Sequence, residues 1–401
     1  MKNWKNRSLL LVGIGTSTLG GWVYLIALNL MVLERTESVI AVSVLYILGP
    51  LATLFTNFWA GSFIDRTNSK HLMIVLDILR AALIGFLPIM PSIFYVYILV
   101  FFINVASTMF EPTSMVYMTK LIREEDRQRF NALRGLILSC GTLFGPAVAG
   151  LLFFIGSAEN AIYINSLALL VSAGILLLLP TVDLQSSETD SRILSWAMVK
   201  KDISLIYSFS YSNTFVIKIY LLFIAMLVMM TSLDSIEAAF IKQSLELSDT
   251  NYGLLLSLFG AGILLGSAIN TLFTKYLAVN TLIGYGSLGT TIGYILLYSS
   301  QDFMSAVIGT VLIGFAFTFA NTGYLTFYQN HVPASMMGRF SSLFGIVQAF
   351  MIIVLTGGIG LAATGASVQL VGFIGSLVFL TVGLLAWRMT FRRSSTALEL
   401  G

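Results

Sequence analysis

Six ionisable side chains lie well inside apolar stretches whose other charges fall only near their ends: Asp77, Arg80, Glu111, Arg134, Asp234 and Glu237. Each costs on the order of 3 kcal/mol in hydrocarbon, so such groups are normally paired or functional. Asp77 and Arg80 stand three apart, on one face if helical, and can pair. Asp234 and Glu237 share that spacing, but both are acids. Two carboxylates held together resist double ionisation, which suits proton uptake. They fall near the outer end of their run, where a solvated vestibule accounts for two acids equally well. Glu111, in Phe110-Glu111-Pro112-Thr113, lies on the order of 12 Å from the inner end of its run at 1.5 Å per residue. Arg134, in the next run, reaches a similar depth and can pair with it. Two chemistries are therefore open: intramembrane charge pairing at Asp77, Arg80 and Arg134, and proton titration at Glu111, Asp234 and Glu237.

Other chemistries lack their residues. Cys140 is the only cysteine, so there is neither an intrachain disulfide nor a CxxC metal site. His71 and His331 fall in expected loops. No H-E-x-x-H, G-x-S-x-G or glycine-rich phosphate loop occurs. The reading is a non-enzyme without cofactor or metal. Its basic residues are dispersed among apolar runs, so no nucleic-acid partner is expected.

A second kind of signal is absence of side chain. Gly141, Gly145 and Ala149 recur every four residues, with Pro146 and Gly150 beside them, and no charge lies between Arg134 and Glu159. As a helix this gives a smooth face that permits close approach, bent where Pro146 withdraws an amide. Gly262 and Gly266 offer a matching face. The expectation is that these two helices meet between two halves of the molecule and slide or hinge there. The alternative is a static pair within one half.

The elements that must carry these residues follow from solvent. The 401-residue chain is 57% hydrophobic and 10% charged, with a mean hydropathy of +0.89. A soluble domain carries about 25% charged residues. Apolar runs bounded by charges, Pro or Asn/Gly clusters fall at 8–33, 39–64, 71–90, 93–118, 130–155, 160–180, 216–241, 251–274, 278–299, 303–328, 340–363 and 366–388. They are long enough to span as helices and too uniformly apolar for barrel strands. The expected fold is an all-α membrane protein of twelve transmembrane helices in two six-helix bundles. Residues 1–180 form the first bundle, 181–215 a cytoplasmic linker with a short surface helix around Ile193 to Lys201, and 216–401 the second bundle with a tail. The first run is too long for a signal h-region and reads as a retained span. With the N-terminus inside, only Arg35 and Lys242 among the 22 Lys and Arg fall in outer loops, and Arg80 and Arg134 lie within spans. The rest are cytoplasmic, so both termini are placed in the cytoplasm. An internal repeat supports six plus six: Arg129-Phe130-Asn131-Ala132-Leu133-Arg134-Gly135 aligns with Arg339-Phe340-Ser341-Ser342-Leu343-Phe344-Gly345, and Gly150 with Gly360.

At the inner end of the second run the sequence reads Gly61-Ser62-Phe63-Ile64-Asp65-Arg66-Thr67-Asn68-Ser69-Lys70. This resembles the signature loop of the major facilitator superfamily, with Asn68-Ser69 where the family usually has Gly-Arg. The resemblance implies a gating role for Gly61, Asp65, Arg66 and Lys70. Gly141, Gly145, Pro146 and Gly150 resemble the antiporter motif of that superfamily, with Ala149 for one closing glycine. Asp77-Ile78-Leu79-Arg80-Ala81, Glu111-Pro112 and Arg129-Phe130-Asn131-Ala132-Leu133 resemble its macrolide-efflux and enterobactin-exporter-like branch. The basic residue that many drug/proton antiporters carry in span four is missing from Val100–Asn104.

The resemblance implies a secondary transporter working by alternating access in the plasma membrane: an exporter of hydrophobic or amphipathic small molecules, such as drugs or macrolides, in exchange for protons. Trp22, Asn29, Tyr46, Asn104 and Asn321 are then candidates for the substrate cavity, the amides because each needs a partner away from water. The repeat sets Asn321 opposite Glu111. Expected partners are a small-molecule substrate, protons and membrane lipids, with a monomer plausible. A uniporter or proton symporter, an exporter of a siderophore or lysolipid, and a non-transporting sensor remain alternatives.

Overall fold

The computed structural model describes residues 2–57, 59–60, 63–64, 67–181, 208–273 and 276–398. Among them are twelve long helices and no strand: α1 (Lys2–Thr36), α2 (Val39–Asn57), α3 (Ser69–Phe86), α4 (Ile93–Leu121), α5 (Glu124–Ile155), α6 (Ala158–Leu178), α7 (Thr214–Ala239), α8 (Asp249–Leu272), α9 (Val279–Tyr298), α10 (Phe303–His331), α11 (Ala334–Gly365) and α12 (Val368–Leu398). A single π-helical turn, Phe240–Ser244, follows α7. His71 and His331 lie in the first turn of α3 and the last of α10 rather than in loops. The surface helix expected around Ile193 to Lys201 lies outside the described residues.

Helix starts recur 210 residues apart: Val39 and Asp249, Ser69 and Val279, Ile93 and Phe303, Glu124 and Ala334, Ala158 and Val368. The offset equals that of the Arg129/Arg339 alignment, so the sequence repeat is a repeat of helices.

Eleven helices are long and apolar enough to cross a bilayer. The exception is α9, diluted by Gly284, Gly286, Ser287, Gly289, Thr290, Thr291 and Gly293. Those residues suit a helix surrounded by other helices, since small side chains let backbones approach where lipid offers no hydrophobic drive.

The chain divides into two compact units, Met1–Ser191 with Ser248–Ser257, and Arg192–Leu247 with Leu258–Gly401. In the first, α1 packs on α5 and α6, and α3 lies against α4 and α6. One of its core clusters joins Leu10, Met73, Tyr117, Phe130 and Leu176 from five helices. In the second, α9 packs on α10 and α12, and α7 on α11 and α12. An aromatic cluster centres on the fully buried Phe340, with Tyr220 and Phe344 ring centroids at 4.7 and 4.5 Å. Large apolar side chains such as Phe154, Leu178 and Met304 stay exposed, as suits a surface in lipid.

The α9–α10 seam is backbone against backbone. Gly286 faces the Ala320 main chain, and a Cβ on Gly293 would lie 2.9 Å from the Ile313 amide nitrogen. Gly174 of α6, by contrast, has open space around its missing Cβ. Gly293→Leu is expected to cost about 1–3 kcal/mol through overpacking, and Gly174→Leu close to nothing. Thermal melts of the two purified variants against wild type check this; equal midpoints would refute the tight seam.

Candidate transport site

In the first unit the intramembrane charges tie helices together. Asp77 is fully buried on α3. Arg80, one turn on, forms an ion pair with it, and Ser172 of α6 donates a hydroxyl to its other oxygen at 2.9 Å. The Arg80 guanidinium also lies 4.4 Å from the Phe110 ring centroid of α4, a cation–π contact. One carboxylate thereby links α3, α4 and α6. Arg134 of α5 pairs with Glu111 of α4 at 2.5 Å; the arginine is mostly enclosed, while the Glu111 side chain is 66% exposed. Glu111 is thus engaged in an ion pair.

Two contacts had no sequence signal. Arg7 of α1, 5% exposed, pairs with Asp126 of α5 at 2.5 Å. The two are 119 positions apart, and no periodicity links them. Lys70, expected in a gating loop, lies in the first turn of α3 and reaches the end of α6. Its ammonium donates to the carbonyls of Leu177 and Leu179 at 3.1 and 2.5 Å, while the Tyr117 hydroxyl donates to Pro180 at 2.8 Å. A cation on the last carbonyls of a helix satisfies its orphan acceptors and complements its dipole. Gly61, Asp65 and Arg66 lie outside the described residues.

The smooth face of α5 meets two neighbours. A Cβ on Gly145 would fall 2.5 Å from Trp22 Cβ, and Gly141 faces Thr18, both of α1. Gly150 faces the beginning of α8: a Cβ there would lie 3.1 Å from the Thr250 carbonyl oxygen, and one on Gly253 would lie 2.8 Å from that of Pro146. Gly262 and Gly266 have a different neighbour from the one expected. They pack on the α10 backbone, with Cβ positions 2.9 Å from the Phe315 nitrogen and 2.7 Å from its oxygen. The reason is that glycine spacing marks a face open to close approach without naming the helix that approaches.

In the second unit Asp234 accepts a hydrogen bond from the Tyr294 hydroxyl of α9 at 2.6 Å. Tyr298, one turn on, donates to the Leu233 carbonyl at 2.6 Å. Glu237 is 7% exposed and, among the described residues, makes no side-chain hydrogen bond or ion pair. It stands three residues before the π turn; such turns in a helix are frequent at functional sites.

The candidate cavity residues make different contacts. Asn29 donates to the Tyr46 hydroxyl at 3.0 Å. Asn104 donates to its own helix at Val100, 2.9 Å away. Trp22 is taken up against Gly145. Asn321, half-buried, is the nineteenth residue of α10, as Glu111 is of α4.

The family model of the Major Facilitator Superfamily matches residues 10–356. The chain belongs to the major facilitator superfamily. It is accordingly a multi-pass integral membrane transporter of small molecules rather than an enzyme. A superfamily relative from Bacillus subtilis (strain 168), the uncharacterized MFS-type transporter YfiS, is 24% identical over 396 residues, covering 96% of this chain and 91% of that protein. Among solved superfamily folds, the nucleoside transporter NupG superposes with a TM-score of 0.76 at 13% identity, covering 96% of this chain and 99% of that one. A POT family transporter in complex with 5-aminolevulinic acid gives 0.73 at 12%, covering 95% of each chain. A bacterial homolog of the human lysosomal transporter Spinster gives 0.66 at 16%, covering 96% and 98%. At these identities the likeness is one of fold.

Asp77→Asn leaves the Arg80 guanidinium enclosed without its counter-ion and is expected to cost about 3–5 kcal/mol, whereas the double variant Asp77→Leu/Arg80→Met loses much less. Unfolding midpoints of both proteins decide; a double variant as unstable as Asp77→Asn would show the pair is not a closed unit.

Proposed function

We propose that the protein exports hydrophobic or amphipathic small molecules from the cytoplasm in exchange for protons, by alternating access, from a plasma membrane in which both termini are cytoplasmic. The observation that carries the coupling is Glu237. A buried ion without a partner is costly, and a carboxylate can relieve that cost by binding a proton. Asp234 is engaged with Tyr294, Asp77 with Arg80 and Ser172, and Glu111 with Arg134. Glu237 is the remaining acid of the set. The groups that face it are Asp234 on its own helix and Tyr294 from α9. No nucleotide-binding motif occurs in the sequence, so the reading takes its work from the ion gradient; a membrane potential of 100 mV adds about 2.3 kcal/mol per net charge moved. Membrane lipids surround the exposed apolar side chains, and a monomer suffices for the mechanism. Gating at Gly61, Asp65, Arg66 and Lys70, and hinging of α5 at Gly141, Gly145, Pro146 and Gly150, belong to this reading by resemblance to the superfamily's motifs.

A second reading has an observation of its own. A cavity of about 360 Å³ in the second unit is lined by Ser267, Asn270, Thr271, Thr322 and Thr326 among apolar residues. Uncharged hydroxyls and amides suit a neutral polar solute, the class a nucleoside belongs to, carried by uniport or proton symport.

The test uses full-length protein in proteoliposomes with an entrapped pH dye and ethidium as cargo. Antiport moves protons opposite to ethidium, and symport moves them with it. Ethidium flux that ignores the proton gradient would refute coupling. Glu237→Gln is expected to abolish gradient-driven flux while leaving ethidium exchange at equal pH. Retained gradient drive in that variant would refute the role given to Glu237.

A further inference from the structure

Two amide oxygens in the first unit are held ready to accept and have nothing to accept from. Asn29 of α1 is 2% exposed. Its nitrogen is occupied by the Tyr46 hydroxyl of α2 at 3.0 Å, and its Oδ1 is buried without a hydrogen-bond partner. Asn104 of α4 is oriented unambiguously. Its nitrogen donates to the Val100 carbonyl, so Oδ1 must be the free end, and no hydrogen bond joins that oxygen to a described residue. It lies 3.8 Å from the point a Cβ would occupy on Gly49. Gly49 is three residues past Tyr46, on the same face of α2. The two side chains therefore reach α2 at positions one turn apart, and Gly49 contributes no side chain beside the Asn104 oxygen.

The electrostatics are one-sided. Helix α2 carries no charged residue, and no charged residue lies within one helical turn of Asn29 on α1 or of Asn104 on α4. An unmet buried acceptor costs free energy. Most buried amides in proteins are satisfied, so the buried, unmet Asn29 oxygen, with the open oxygen of the half-buried Asn104 reaching the same helix, marks a place for a ligand bearing donors. Neutral acceptors with no competing cation favour a positively charged donor over a neutral one, because charge-assisted hydrogen bonds are stronger.

We propose that Asn29 and Asn104 form an acceptor-only subsite for the N–H groups of a cargo ammonium, so that the protein discriminates primary and secondary amines from quaternary ones. The subsite deepens the exporter reading and rests on it for the identity of the cargo, but its binding preference can be measured without transport.

The probes are 4-phenylbutylammonium and its N,N,N-trimethyl analogue, which share charge and aromatic tail and differ in N–H donors. Affinities for the full-length protein in nanodiscs are measured by calorimetry against empty nanodiscs. The wild type is expected to bind the ammonium about tenfold more tightly, the ratio one charge-assisted hydrogen bond supplies. Asn29→Leu and Asn104→Leu are expected to reduce that ratio towards one, while Asn104→Asp, which keeps its acceptors, retains or raises it. Equal affinities in the wild type, preference for the trimethyl compound, no binding of either probe, or loss of preference in Asn104→Asp would each overturn the subsite. Ethidium efflux measured in parallel separates the two ideas: lost export with an intact ammonium preference sinks the exporter reading alone.

Discussion

Hydrocarbon offers no water to a charge or to an open hydrogen-bonding atom, so each one within the spans must be met by protein. That constraint sorts the polar residues of this chain more sharply than their sequence positions do. Asp77 is met from two helices and Arg80 additionally by an aromatic ring. Lys70 is met by the carbonyl end of a neighbouring helix. These groups are structural fasteners: each joins elements whose apolar surfaces gain little from leaving lipid for one another. Groups left incompletely met, the Glu237 carboxylate and the Asn29 and Asn104 oxygens, are the ones to which the proposals above assign a proton and a cargo ammonium.

The 210-residue repeat shows two solutions to one packing problem. In the first unit α3 is fastened to its neighbours by Asp77 and Arg80, with Phe110 of α4 over the guanidinium. The matching positions 210 residues on are Ser287, Thr290 and Ala320. There the charge is gone, and Gly286, which corresponds to Leu76, brings the α9 backbone against Ala320. A buried ion pair fixes which atoms face each other and makes removal of either one costly. A glycine seam relies on dispersion between main chains, which is lost if the seam opens by even 1 Å. Each seam is stiff for its own physical reason, which fits rigid units that move by rotation rather than by internal rearrangement.

Much of the architecture was legible in the chain because membrane topology is written in local composition. Gaps between charges located all twelve helices, including α9, whose Gly and Thr content lowers its hydropathy. The Asp77–Arg80 and Glu111–Arg134 pairs were readable too, one from helical spacing and the other from matching depth in successive spans. What stayed hidden was partner choice over long separations. Nothing local announces that Arg7 will find Asp126, that Lys70 will cap α6, or that Gly253, a lone glycine in Asn251-Tyr252-Gly253, will be the α8 residue against Gly150. Gly262 and Gly266 carried the stronger pattern and packed on α10 instead. A spacing rule reports the shape of one surface, and complementarity needs two.

The proposed coupling through the second unit turns on the inequality of two neighbouring acids. Asp234 has a phenol hydroxyl to stabilise its charge, whereas Glu237, deeper among buried Ser235, Ile236 and Ala238, has none. An excess charge on the pair is therefore borne unequally. A proton bound at Glu237 leaves a neutral side chain that low-dielectric surroundings tolerate. Its departure creates an ion that the present packing does not meet, and the helix must then bring that carboxylate to water, cargo or a donor. The π turn at Phe240–Ser244 lies immediately beyond, where the hydrogen-bond register of the helix is already interrupted. Under the proposed exchange, proton occupancy and the conformation of the α7 end thus become one variable, since the unmet ion is the cost that separates the two states.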